Sequence, residues 1–228
     1  RQRQMCIRDS LEALNIPLDL DAARAVRQFK ASNFTFLFAP AYNPAVAHVQ
    51  PVRKALGIPT IFNTLGPLLS PGRPSLQIMG IAHPAQGQLI AEVFRELGRE
   101  RALVVHGAGT DEIATHGTTQ VWELNDGEIV SYELDPEDLG IKRHELADLA
   151  GGDGAANAQA LRAVFAGRGE PAHCDAIAAG AGAMFYLNGT TETIAAGVTH
   201  AKELIGSGTV EEWLSLHEST NYAVGEEN

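Results

Sequence analysis

The chain has 228 residues, 45% of them hydrophobic and 20% charged, with a formal net charge of -11. It is long enough to bury a sizeable core, and its acidic balance excludes nucleic acid as a bulk partner, because phosphate backbones demand a Lys/Arg surplus on at least one face. Two cysteines, Cys6 and Cys174, give neither a disulfide framework nor a metal-ligand spacing, and no apolar run is long enough to span a membrane, so the chain reads as cytoplasmic with no membrane partner.

Residues 1–10 (RQRQMCIRDS) show no hydrophobic periodicity and no cap signal; they read as a non-native artefact, leaving 11–228 as the domain. Leu11 to Asn15 is helix-like. Asp19-Leu-Asp21 is placed to cap a helix running to Phe29, with Ala22, Ala23, Val26 and Phe29 on one face. Phe34 to Phe38 reads as a short buried strand ending at Ala39-Pro40. Asn43 can cap a helix opened by Pro44, and Pro51 kinks that helix or starts another. Leu76 to Ala82, then a helix from His83-Pro84 with Leu89, Ile90, Val93, Phe94 and Leu97 facing the core, then Ala102 to His106, form a strand–helix–strand unit. Both strands are nearly all apolar, which predicts an α/β fold with a largely parallel sheet flanked by helices. Gln120 to Leu124 and Ile129 to Leu134 flank Asn125-Asp126-Gly127, a hairpin signal. Helices are expected over 157–166, 174–187, 190–205 and 210–216, with Gly180 and Gly182 marking a close helix contact.

Asp111-Glu112 follows the second apolar strand in a glycine-containing loop. Ligands of open α/β sheets gather at the carboxyl ends of strands, and paired carboxylates suit Mg²⁺, a hard cation that shares its shell with substrate phosphates. From spacing alone, a solvated acidic turn is the commoner explanation. Arg53 has a planar fork able to hold a carboxylate by two parallel hydrogen bonds, though an arbitrary helical arginine more often makes a surface pair. Phe38-Ala39-Pro40 and Leu65-Gly66-Pro67 offer rigid apolar walls, or simply two turns. Gly107-Ala-Gly109 lacks the Lys-Ser/Thr of a phosphate loop. His48, His83, His106 and His116 read as caps or satisfied core groups.

The stretch Pro51 to Pro71 (PVRKALGIPTIFNTLGPLLSP) resembles the signature of the anthranilate phosphoribosyltransferases. The resemblance extends over 33–40, 102–112, the hairpin 121–134 and the string GGDGAAN at 151–157. It implies the large domain of that family's fold, shared with the nucleoside phosphorylases and here incomplete at its N-terminus. It also implies transfer of a phosphoribosyl group from phosphoribosyl pyrophosphate to anthranilate in tryptophan biosynthesis, by a homodimer. In the family's terms, Asp111 and Glu112 match the Mg²⁺ ligands, and Arg53 matches the arginine that clamps the anthranilate carboxylate. Ala39, Pro40, Asn43, Val46 and Pro67 fall on the anthranilate tunnel. The chain departs at Asn43, where the family often has histidine, and at Val46, where it often has Met or an aromatic residue. The family's glycine-rich and Lys-His-Gly-Asn donor motifs do not occur in this sequence, which makes a catalytically incomplete fragment one alternative. A pyrimidine nucleoside phosphorylase and a nucleic-acid-binding relative on the same scaffold are the others.

Overall fold

In the computed structural model of the chain, the described residues are 2–18, 20–43, 48–49, 55, 57 and 62–219, with the backbone alone for 2–7, 39–40, 62–63 and 217–219. Apart from short 3-10 turns, the described elements run in chain order as α1 (Gln2–Ala13), α2 (Ala22–Ser32), α3 (Ala39–Tyr42), α4 (Phe62–Leu68), β1 (Leu76–Gly80), α5 (Gly87–Glu96), β2 (Arg101–Gly107), β3 (Thr119–Asn125), β4 (Glu128–Leu134), α6 (Gly154–Phe165), α7 (Pro171–Leu187), α8 (Ile194–Gly206) and α9 (Thr209–Ser219). They divide between two compact units, one made of 1–73, 151–162 and 209–228, the other of 74–150 and 163–208.

The first unit is helical. The opening stretch forms one helix with Leu11, and Arg8 and Glu12 pair along it at 2.9 Å. Asp9 lies so close to Gly154 that a side chain there would strike its backbone. Asp21 caps α2 as expected, its carboxylate accepting the Arg24 amide at 2.8 Å. The buried face of α2 is a correction: Ala25, Gln28 and Ser32 point inward, while Val26 and Phe29 are each 53% exposed. The strand expected at Phe34 to Phe38 is also corrected. These five residues are irregular and half-buried, with no ladder partner among the described residues. Phe34 instead meets Trp213 of α9 edge to face at 5.7 Å. The helix expected from Pro44 and the kink at Pro51 lie outside the described residues.

The second unit holds a sheet in the order β1-β2-β3-β4. β1 and β2 are parallel, joined through α5 as the strand–helix–strand pattern requires. β3 and β4 then extend the sheet antiparallel. The expected α/β class holds, but the sheet among the described residues is mixed rather than largely parallel. The physical reason is two reversals: residues 108–118 bring β3 back antiparallel to β2, and Asp126 (φ 48°) and Gly127 (φ 84°) make a tight left-handed turn that returns β4 along β3. Residues 102–105 of β2 are all buried, so the strand is covered on both faces. On α5, Ile90, Ala91 and Phe94 turn inward, whereas Leu89 and Leu97, expected in the core, are 59% and 47% exposed. The glycine contact expected for α7 is real at Gly182, where a Cβ would collide with Gly197 and Val198 of α8. At Gly180 there is open space. Among the described residues no helix is long and apolar enough to cross a membrane.

Candidate functional site

The carboxyl ends of the two parallel strands meet the loop that carries Asp111 and Glu112. β1 ends at Gly80, and a Cβ on Gly80 would run into the backbone of Asp111. β2 ends at Gly107, and a Cβ there would meet the carbonyl of Glu112 and, at 2.6 Å, the amide of Ala114. Two glycines thus let the loop fold back tightly over the strand ends, a close approach that any larger residue would block. Backbone bonds close it: the Gly107 amide donates to Thr110 at 3.0 Å and the Thr110 amide returns to Gly107 at 2.9 Å. The Thr110 hydroxyl also donates to the Gly107 carbonyl, at 2.7 Å. Ala108 takes φ 45° to make the turn.

Further along, Ile113, Ala114 and Thr115 are buried at 7%, 3% and 0% exposure, so the far limb of the loop is anchored in the core. The Thr119 hydroxyl accepts the Ala114 amide at 2.9 Å. The Thr118 hydroxyl donates to Asp135 at 2.6 Å, which, with help from Arg143, holds the Asp135 carboxyl below the usual carboxylate range. His106 and His116 are tied to carbonyls, His106 to Ile81 at 2.9 Å and His116 to Ala108 at 3.2 Å. The other ring nitrogen of His116, Nδ1, is buried without a hydrogen-bond partner, so His116 is only half satisfied. What projects from this frame is the acidic pair, Asp111 half-buried and Glu112 exposed.

Two adjacent carboxylates on a pinned loop are hard oxygen donors, and that donor set fits Mg²⁺. Among the described residues no group of three or more His, Cys, Asp or Glu side chains comes together as a metal cage. Two carboxylates leave the rest of an octahedral shell to water and phosphate oxygens, the usual arrangement when the metal is shared with a substrate.

Of the other residues the sequence pointed to, Ala39 and Pro40 open the single turn of α3 and Asn43, half-buried, follows it. That turn is tied down by Tyr42, whose hydroxyl donates to the Leu20 carbonyl at 2.7 Å. Pro67 lies inside α4 and is exposed. Arg53 and Val46 lie outside the described residues.

A family model described as "Glycosyl transferase family, a/b domain" matches residues 7–211. The chain belongs to that family. Among curated relatives in the glycosyl transferase family, it is 78% identical over 214 residues to an anthranilate phosphoribosyltransferase of Corynebacterium aurimucosum, covering 94% of this chain and 62% of the relative. It is 67% identical over 215 residues to that of Corynebacterium diphtheriae, covering 94% and 63%. The chain therefore spans less than two thirds of the length of these relatives. Among solved structures it superposes on anthranilate phosphoribosyltransferase from Thermus thermophilus with a TM-score of 0.86 at 37% identity, covering 93% of this chain and 63% of that one. It also superposes on the Saccharomyces cerevisiae enzyme in complex with phosphoribosyl pyrophosphate and Mg, with a TM-score of 0.84 at 27% identity and 93% and 62% coverage.

The sequence reading missed two features of this loop. Gly80 escaped notice although a glycine closing an apolar strand is a signal of close backbone approach. The contact of the loop with His144, whose amide donates to the Thr115 carbonyl at 2.9 Å, joins residues with no telling local spacing.

Proposed function

We propose that this chain is the C-terminal α/β part, residues 11–228, of an anthranilate phosphoribosyltransferase. The enzyme moves the phosphoribosyl group of phosphoribosyl pyrophosphate onto the anthranilate amine, giving N-(5-phosphoribosyl)anthranilate and pyrophosphate in tryptophan biosynthesis. The observation that carries the reading is the 78% identity, across nearly the whole chain, to a relative of that name. The acidic pair at the strand ends supports it independently, because pyrophosphate departure calls for a cation held beside phosphate oxygens.

In this reading Asp111 and Glu112 are the metal ligands. Bound there, Mg²⁺ supplies charge neutralisation for the leaving pyrophosphate. The chain's own work is positioning and electrostatics. The tight loop fixes where the two carboxylates point. Arg53 is the proposed bidentate clamp for the anthranilate carboxylate. Ala39, Pro40, Asn43, Val46 and Pro67 wall the aromatic ring. The enzyme is proposed to act as a cytoplasmic homodimer on small-molecule substrates, without nucleic acid or membrane. Because the donor-site motifs are not found in these 228 residues, turnover is proposed to need the segment that the longer relatives carry.

The test follows anthranilate fluorescence on addition of phosphoribosyl pyrophosphate and Mg²⁺ to the full-length enzyme, with and without a chelator. Metal-dependent loss of fluorescence is the expected result, and Arg53→Ala should raise the anthranilate KM about tenfold or more while leaving that of the donor near its parent value. No fluorescence loss under any of these conditions would remove the proposal. An unchanged anthranilate KM in Arg53→Ala would remove the clamp alone.

A further inference from the structure

We infer that His144, Asp175 and Lys202 form a strap that sets the position of the acidic loop, and that His144 is a positioning residue for its two carboxylates. The inference rests on the reading of Asp111 and Glu112 as metal ligands, but it starts from contacts outside that pair.

The near limb of the loop is closed by its own backbone bonds. The far limb has a different anchor. Thr115, three residues beyond Glu112, passes its carbonyl to the amide of His144 at 2.9 Å. His144 lies in an irregular stretch, 141–145, held elsewhere by the buried Ile141 and by Arg143, which donates to Asp135 and Glu137. Its ring adds the tie to α7. His144 Nε2 lies 2.7 Å from one carboxylate oxygen of Asp175 on α7, and since a carboxylate only accepts, Nε2 is the donor. The other Asp175 oxygen takes the Lys202 ammonium of α8, also at 2.7 Å. Both oxygens of Asp175 are thereby committed, which fixes the plane of the carboxylate and with it the direction from which His144 is held.

The side chains of His144 and Asp175 are only 12% and 14% exposed, so water competes weakly for the bond. The two helices that carry the anchor are themselves in backbone contact at Gly182 and Gly197. A continuous set of contacts therefore runs from a rigid helix pair through Asp175, His144 and Thr115 to the segment that ends in Glu112. Ile113 and Ala114, buried between them, carry little slack. If the ring let go of Asp175, the stretch would keep its Arg143 pairing but lose its tie to α7, and the Thr115 contact and the registration of the acidic pair would loosen without loss of either carboxylate.

The test compares His144→Ala, His144→Gln and the double variant Asp111→Asn with Glu112→Gln, each in the full-length enzyme. Two quantities are read: the Mg²⁺ concentration for half-maximal rate, and Mn²⁺ affinity from the free-ion signal in electron paramagnetic resonance. His144→Ala is expected to weaken both about tenfold, the low end of what outer-shell partners contribute, with the anthranilate KM within twofold of the parent and kcat recovered at saturating metal. His144→Gln, which keeps a donor toward Asp175, should recover most of the loss, a rescue that general loosening of the fold would not produce. If His144→Ala does not fold, Asp175→Asn is read by the same two measures. Metal affinities within twofold of the parent in these variants would overturn the strap. Should the double carboxylate variant keep its metal response, the ligand assignment in the proposed function is what fails, and the strap falls with it.

Discussion

The two ends of strand β2 handle acidic side chains in opposite ways. Near its amino end Glu123, 5% exposed, is surrounded by donors. Tyr186 gives its hydroxyl to one carboxylate oxygen at 2.7 Å and Tyr132 gives its own to the other at 2.8 Å. Arg101 stands 3.6 Å away, its guanidinium over the Tyr186 ring at 4.7 Å and bonded to the Tyr186 and Leu187 carbonyls at 3.0 Å. At the carboxyl end, past Gly107, the backbone shapes the loop from which Asp111 and Glu112 project. A buried carboxylate enclosed by its partners stabilises the fold and has little capacity left for a ligand. A carboxylate on a loop that is half-buried or exposed stays within reach of one. In the proposed reading, charge alone does not separate the structural acid from the metal ligands; burial and position at the strand ends do.

The largest effect expected from this contrast is at Glu123. Removing the carboxylate in Glu123→Ala strands two hydroxyls and takes away the charge facing Arg101, which should cost about 3 kcal/mol, the lower end for a broken buried pair because Arg101 keeps its carbonyl partners and is partly solvated. Chemical denaturation measures it, and a loss under about 1 kcal/mol would mean that the network contributes less than its geometry implies. Next is Gly107→Ala, whose added methyl meets the Glu112 and Ala114 backbone. It should cost about 1–3 kcal/mol by overpacking and weaken metal affinity at the same time. Loss of stability with metal affinity intact would separate the strand end from the site.

A third prediction concerns alkali. Burial, then the Glu123 charge and hydrogen bond, push the Tyr132 hydroxyl well above the ordinary value of 10.0. Because the folded value is the raised one, its contribution is whole below about pH 10 and is lost as pH rises beyond it, when only the unfolded chain ionises. With allowance for the ring's partial exposure, the decline should be on the order of 1 kcal/mol by about pH 11. Tyr132→Phe should flatten the slope of denaturation midpoint against pH; an equal slope in both proteins would assign it elsewhere. The smallest stability effect is expected for Asp111→Asn with Glu112→Gln, within about 0.5 kcal/mol of the parent although the response to metal disappears. A cost near that of Glu123→Ala would erase the contrast between the two ends.

What could be read from the sequence follows the reach of each signal. β1, α5, β2 and the hairpin were legible because their cues are local: two apolar runs, a helix opening at Pro84, and Asp126-Gly127 between strands. Phe34 to Phe38 has a strand's composition, but a strand also needs an edge to pair with, and here Trp213, far along the chain, takes that place. On α2 and α5 the periodicity announced a helix without saying which face is covered. Val26, Phe29, Leu89 and Leu97 were assigned inward by hydrophobicity and lie exposed; on α2 packing chose Ala25 and Gln28 instead, while on α5 the expected Ile90 and Phe94 are buried. At the site, Asp111 and Glu112 stood out through resemblance to a family. Gly80 against Asp111 and His144 against Asp175 are meetings of segments well separated along the chain, and only the fold makes them neighbours.

The contact between α7 and α8 at Gly182 and Gly197 restricts how this chain can change. Each glycine occupies the space that a side chain on the other would need. Neither position can gain a methyl group first, since the first substitution already forces the helices apart, and a second one makes the crowding worse. The pair behaves as a ratchet with no permitted first step: lineages sharing this packing should drift freely at Gly180, two residues away and facing open space, yet hold both contact positions fixed for as long as the helix pair endures.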